Sequence, residues 1–178
     1  SVRSSINKLL KLGLEDNYAY TIRSDNLIEI LIDAKTNKKP LTHKRVCAWH
    51  KALFPTGNSG LKNITVGSYR TDDEDMRIVS GHWEKEKIHY IAPPSNTVEK
   101  LMDDFLKWLN IKDGQNSIYK SIIAHLYFVL IHPFDDGNGR IARAITDYVL
   151  AQSDLANANF YSISTTIYKH RKDYYEAP

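Results

Sequence analysis

The apolar residues of this chain recur mainly at three- and four-residue intervals, the spacing of one face of an α-helix, in blocks separated by short polar or glycine-containing stretches. Ser5 can cap a short helix carrying Ile6, Leu9 and Leu10, which Gly13 ends; Ser24 or Asp25 can cap the next, with Leu27, Ile28, Leu31 and Ile32 on one side. Lys35 to Lys39 then reads as a polar loop. Thr42 has the position of an N-cap, with Leu41 and Val46 spaced as a hydrophobic staple, before a helix whose Val46, Trp49, His50 and Leu53 share a side. Pro55 and Gly57 stop it.

From Gly67 to Pro94 the period changes. Ile78 and Val79, then Ile88, Tyr90 and Ile91, are short β-prone runs around the polar segment Glu84 to Lys87, and predict a β-hairpin ended by Pro93 and Pro94. Asn96 and Glu99 have the spacing of a capping box for a helix bearing Val98, Leu101, Met102, Phe105 and Leu109. Ile118 to Ile131 is apolar nearly all round, which predicts a central helix surrounded by others and stopped by Pro133. A further helix from about Asn138 to Gln152 turns Ile141, Ile145, Tyr148 and Val149 inward, and a last one near Ser164 carries Ile167, Tyr168, Tyr174 and Tyr175. The predicted fold is mainly α, a helical bundle around a central helix-loop-helix with a β-hairpin flap. Residues 1–178 form one domain: N-terminal helices in 1–60, the flap in 67–94 and the core helices in 95–178.

Composition narrows the function classes. With 24 basic against 21 acidic residues and no long block of one sign, the charge does not suit a mainly electrostatic grip on nucleic acid or membrane. Proteins and small molecules are the expected partners. The single cysteine, Cys47, excludes an internal disulfide, and no basic leader followed by an apolar stretch opens the chain, so a cytoplasmic location is expected. The most apolar stretch, Ile122 to Ile131, is far shorter than the ~20 residues of a membrane span. The chain opens on Ser1 and not on Met, as a piece of a longer protein does.

The chemistry concentrates in His132-Pro133-Phe134-Asp135-Asp136-Gly137-Asn138-Gly139-Arg140-Ile141-Ala142-Arg143, between the two most central helices. Two glycines around Asn138 at the start of a helix let backbone N–H groups approach an anion, and the helix dipole adds partial positive charge there. Arg140 and Arg143, three apart, project from nearly one face of the first turns and suit a polyphosphate. Asp136 is a hard oxygen ligand placed to hold Mg²⁺ bridging phosphates, and His132 is placed to take a proton from an attacking hydroxyl. Each residue alone has a plainer reading: His132 as a helix-terminal cap, Phe134 as a core plug, Asp136 and the glycines as turn formers. Seven fixed identities in one string match by chance at roughly one position in 10⁹, which favours the functional reading of the set. No Lys-Ser or Lys-Thr follows the last glycine, so the string is not the P-loop of common NTPases.

This string resembles the signature of the Fic family, H-x-F-x-(D/E)-G-N-G-R-x-x-R, at every fixed position. Weaker agreement extends to Gly67-Ser-Tyr-Arg70, Val79 to Gly81, Tyr90 to Pro94 and Trp108-Leu109. The resemblance implies a helical core with a hairpin flap, a magnesium-ATP site, and transfer of AMP to a Tyr, Thr or Ser hydroxyl of a protein with release of pyrophosphate. It further implies that His132 is the general base and Asp136 the Mg²⁺ ligand, that Gly137, Asn138 and Gly139 hold the α-phosphate, and that Arg140 and Arg143 hold the β- and γ-phosphates. Phe134 anchors the loop. A protein substrate adds as an extended strand to the flap around Ser80 to Tyr90, and the chain can also modify itself.

Alternatives within the family are transfer of another nucleotide monophosphate, a phosphocholine or a phosphate, or removal of AMP. Outside enzymes, the alternative is an ATP-sensing module, which the presence of His132 argues against. His43, His50, His82, His89, His125 and His170 show no metal-ligand spacing and are expected to be structural, as is Cys47; Tyr168, Tyr174 and Tyr175 are expected in the core before an adenine pocket. Many relatives carry an inhibitory helix with the pattern (S/T)-x-x-x-E-(G/N), and no such string occurs here. The nearest lookalike, Ser80 to Lys85, lacks the final Gly or Asn, while Ser1 to Ile6 resembles the stretch after that motif in members regulated from their N-terminus. A chain cut just after the motif is expected to label more strongly than a version extended upstream.

Overall fold

The computed structural model of the protein describes residues 22–72, 76–80, 87–112, 114 and 116–152. The helices expected near Ser5 and Ser164, with Ser1 to Ile6, Tyr168, Tyr174 and Tyr175, lie outside these residues, as do His82 and His170.

Helix α1 (Ile22–Thr36) starts earlier than its capping residues suggest, so Ser24 and Asp25 lie inside it. In α2 (His43–Leu53) the capping expectation holds: Thr42 Oγ1 accepts the Arg45 N–H at 3.3 Å, and the staple residues Leu41 and Val46 are buried. The two helices are joined by Asp33, whose carboxylate accepts Arg45 Nε and Trp49 Nε1, each at 2.7 Å. A small ribbon that the sequence did not signal follows α2, with β1 (Asn58–Ser59) antiparallel to β2 (Lys62–Asn63) around Gly60.

The flap is β3 (Arg77–Ser80) paired antiparallel with β4 (Lys87–Ile91). Ile78 opposes Tyr90 and Val79 opposes Ile88, which leaves His89 as the extra residue of a bulge. Helix α3 (Ser95–Asn110) begins one residue before Asn96, with Pro94 as its N-cap and no side-chain cap. Proline supplies the boundary here through its fixed φ, and the Thr97 hydroxyl donates to the Pro94 carbonyl at 2.8 Å.

The last two described helices, α4 (Ser117–Ile131) and α5 (Asn138–Ala151), run antiparallel and carry the motif between them. α5 contacts α1, α2 and α4 and is the hub of the bundle. Its Ile141, Ala142, Ala144, Ile145, Tyr148 and Val149 are all buried, as its periodicity requires. α4 departs from the expectation of a helix enclosed on every side. Its buried side holds Lys120, Ser121, Ala124, His125, Phe128 and Ile131, whereas Ile118, Ile122, Leu126 and Leu130, spaced four apart, stay about half exposed. The polar members of the buried side find partners, Lys120 Nζ on the Ile111 carbonyl at 2.5 Å and His125 Nδ1 on Thr146 Oγ1 at 3.3 Å. The core is one cluster in which Val46, Val98, Met102, Phe105, Phe128, Ile141 and Ile145 are fully enclosed. Among the described residues no helix is long and apolar enough to cross a membrane.

Candidate active site

His132 terminates α4 in the left-handed region, φ 49° and ψ 58°, and is the one non-glycine residue with positive φ among those described. This twist turns the chain sharply out of α4 into the loop, and it is held from both sides. Arg70 Nε donates to the His132 carbonyl at 2.8 Å, and the Arg70 N–H donates to the Pro133 carbonyl at 2.9 Å. His132 Nδ1 lies 3.2 Å from the Val129 carbonyl, which can only accept, so Nδ1 carries the proton and Nε2 keeps its lone pair. Burial, with the charge of Arg70, holds this imidazole below the usual histidine range against the pull of that carbonyl.

Phe134 is fully buried, stacked on His50 with centroids 4.0 Å apart and planes 6° apart, and flanked by Tyr69 and Phe128. Truncating such a ring to Ala costs about 3–5 kcal/mol. His50 bridges the loop to its surroundings: Nδ1 accepts the Gly67 N–H at 3.1 Å, which leaves Nε2–H to donate to the Asp136 carbonyl at 3.1 Å. Asp135 faces inward. Its Oδ2 accepts the Thr65 N–H at 2.8 Å, while its Oδ1 is buried without a hydrogen-bond partner and acts electrostatically on Arg70.

Asp136 faces outward. Its Oδ1 takes the Gly137 N–H at 2.5 Å, its Oδ2 takes the Ser59 hydroxyl from the β1–β2 ribbon, and Arg140 Nη2 stands 3.6 Å from Oδ2. Burial alone would raise this carboxyl, but the bonds from Ser59 and Gly137 and the charge of Arg140 win, so it stays ionised and below the ordinary carboxylate range. Arg140 also rests its guanidinium 4.7 Å over the Phe54 ring.

Gly137 caps α5 at φ 82°, and a Cβ there would stand 2.9 Å from Phe54 Cε2 and 3.3 Å from Leu53 Cδ1, so only glycine fits. Gly139 differs, since it is exposed and a Cβ would meet nothing within 4 Å. Asn138 is a brace whose side chain turns back on the loop: Oδ1 accepts the Phe134 N–H at 3.0 Å and Nδ2 donates to the Phe134 carbonyl at 2.6 Å. The Arg140 and Ile141 N–H groups return to the Gly137 carbonyl, each at 3.0 Å, so the amides of Asn138 and Gly139 are the donors left to an anion at this helix start. Arg143 lies one turn further along α5, where its charge reaches His125.

His132, Asp136 and the amides of Asn138 and Gly139 thus lie along the stretch from the end of α4 into the first turn of α5, with Arg143 one turn further. Sequence reasoning missed His50, Ser59 and Asp135 as partners of the loop, and it gave Arg70 no more than a supporting match. Each contact spans a large separation in the chain, and no local spacing signals it. Among the described residues no three histidine, cysteine or carboxylate side chains converge on a point.

Comparison with known proteins follows the same residues. The profile of the Fic/DOC family matches residues 40–150. A protein adenylyltransferase Fic of Nematostella vectensis is 35% identical over 89 residues, 49% of this chain and 19% of its own length. A uridine 5'-monophosphate transferase of Xanthomonas campestris pv. campestris is 28% identical over 126 residues, 67% of this chain and 22% of its own. The crystal structure of a Fic family protein from Desulfovibrio desulfuricans G20 superposes with a TM-score of 0.67 at 26% identity, over 98% of this chain and 48% of its own. The chain spans about a fifth of the length of these two curated relatives.

Proposed function

Because the chain belongs to the Fic/DOC family, we propose that it transfers AMP from ATP to a hydroxyl of a protein, its own or another, and releases pyrophosphate. The observation that carries this reading is the pinned imidazole of His132. With Nδ1–H committed to the Val129 carbonyl, Nε2 is the free base, at one end of the loop whose other end carries the open amides of Asn138 and Gly139.

In this reading those two amides and the α5 dipole bind the phosphate under attack, and Arg140 and Arg143 take the two phosphates that leave. The acceptor oxygen bonds to the α-phosphorus as the α–β bridging bond breaks, and its proton passes to His132 Nε2. Asp136 would hold Mg²⁺, which supplies neutralisation of phosphate charge; a single ionised, half-exposed carboxylate fits a cation that takes few ligands from protein. The acceptor segment lies along the flap. β3 and β4 pair only with each other among the described residues, which supports addition of an extended segment as a third strand.

A second nucleotide is kept in view because the uridine monophosphate transferase matches two thirds of this chain. The deciding experiment incubates the protein with ATP labelled at the α-phosphate, with ATP labelled at the γ-phosphate, and with α-labelled UTP. Label retained from α-ATP alone supports AMP transfer, and retention from α-UTP alone supports the second nucleotide. Label retained from the γ-position would overturn both.

A further inference from the structure

Arg70 is a charged side chain buried to 3% exposure whose described hydrogen bonds all go to backbone carbonyls. Its Nε meets the carbonyl of His132, its Nη2 meets that of Pro93, and its own N–H meets that of Pro133. Pro93 lies two residues beyond β4, and the Ala92 N–H just before it closes on the Met76 carbonyl at 2.8 Å, at the start of β3. One planar guanidinium therefore joins the root of the flap to the turn that holds His132 in its left-handed conformation. A non-glycine residue in that region sits uphill by about 1–2 kcal/mol, and it persists where surrounding bonds over-determine it.

We propose that Arg70 is the positioning residue that fixes His132 relative to the flap, and so sets the distance between the base and the hydroxyl that the flap presents. This rests on the transfer reading above. The nucleotide cradle does not depend on Arg70: the amides of Asn138 and Gly139, with Arg140 and Arg143, belong to α5, and the brace between Asn138 and Phe134 is separate from it. Loss of the clamp then lets the base drift while nucleotide binding stays. A drift on the order of 1 Å at the reacting centre costs about 100-fold. Lysine at this place offers a compact ammonium in place of a fork and cannot span both carbonyls as the guanidinium does.

The test uses Arg70→Met and Arg70→Lys in the full chain, with three readouts: affinity for a non-hydrolysable ATP analogue by calorimetry, label transfer from α-ATP to protein against AMP released into water, and the imidazole NMR signal of His132, assigned by its loss in His132→Ala. The expected result for Arg70→Met is analogue affinity within about twofold of the parent, protein labelling down about 10- to 100-fold relative to AMP release, and a shifted or doubled His132 signal. Arg70→Lys falls between the parent and Arg70→Met, and it decides the matter if Arg70→Met does not fold. An unmoved His132 signal with an unchanged ratio of labelling to release overturns the role of Arg70. Loss of analogue affinity in parallel with labelling also overturns it, since Arg70 then supports the whole site. A parent that binds no ATP analogue overturns the transfer reading, and this inference falls with it.

Discussion

Gly137 and Gly139 flank Asn138 in one motif, yet replacing each with alanine should act on different properties. At Gly137, alanine must adopt φ 82°, which costs about 1–2 kcal/mol, and its Cβ would press to 2.9 Å from Phe54 Cε2 and 3.3 Å from Leu53 Cδ1, an overpacking cost of about 1–3 kcal/mol. The sum, about 2–5 kcal/mol, corresponds to a fall in the thermal midpoint of roughly 5–15 °C in a chain of this size. At Gly139, φ is not positive, and the new methyl meets nothing within 4 Å. Alanine there gains up to about 1 kcal/mol of helix propensity, so the midpoint should hold or rise by up to about 3 °C. That methyl does, however, stand beside the amides expected to receive phosphate. Losing one charge-assisted bond of about 1.5–3 kcal/mol weakens ATP binding by roughly 10- to 100-fold. Differential scanning calorimetry paired with titration calorimetry on both variants separates the two effects. A Gly139→Ala protein that binds nucleotide as tightly as the parent would remove the phosphate from the start of α5, and one that melts well below the parent would show that Gly139 is there for packing.

His132→Ala should leave ATP affinity near normal and reduce transfer by about 10²- to 10⁴-fold, measured by labelling from α-ATP; near-normal labelling would remove it from the base role. Asp136→Asn should abolish the gain in ATP affinity that Mg²⁺ confers, and titration calorimetry showing no such gain in the parent would refute the assignment. Stability should decline on acidification from pH 7 to pH 5.5, because burial lowers the pKa of His50, His125 and His132 in the folded chain. All three are neutral in both states well above ~6.5, whereas below it the unfolded chain binds protons that the folded one does not, so the unfolding free energy falls with pH. A thermal midpoint that stays level or rises over that interval contradicts this.

What was legible in the sequence is what depends on neighbours in the chain. Helical period, the Thr42 cap, the flap strands and the order of motif residues are all set by contacts within a few positions, and the structure places them within a residue or two. The misplaced starts of α1 and α3 share a cause. A capping-competent side chain is common, and it caps only where the backbone is already turning, as it does at Thr42 and at Pro94 but not at Asn96. The enclosure of α4 was misread because apolar composition on all sides does not say which side the neighbours occupy.

The site shows the same division more sharply. Asn138 sits between two glycines, and its side-chain amide faces back four residues to brace Phe134 while its backbone N–H stays at the helix start. His50 looks like an unremarkable helix histidine, yet it stacks on Phe134 and links Gly67 to Asp136 across separations of 17 and 86 residues. Such a motif therefore mixes two kinds of residue under one spacing. Those with spare hydrogen-bonding capacity, His132 through Nε2, Asn138 and Gly139 through their backbone amides and Asp136 through its half-exposed carboxylate, can still meet a ligand. Those whose side chains turn into the fold, Asn138, Phe134 and the remote Arg70 and His50, hold the loop in shape. Counting which polar atoms are already satisfied separates the two kinds, and that count needs the tertiary contacts.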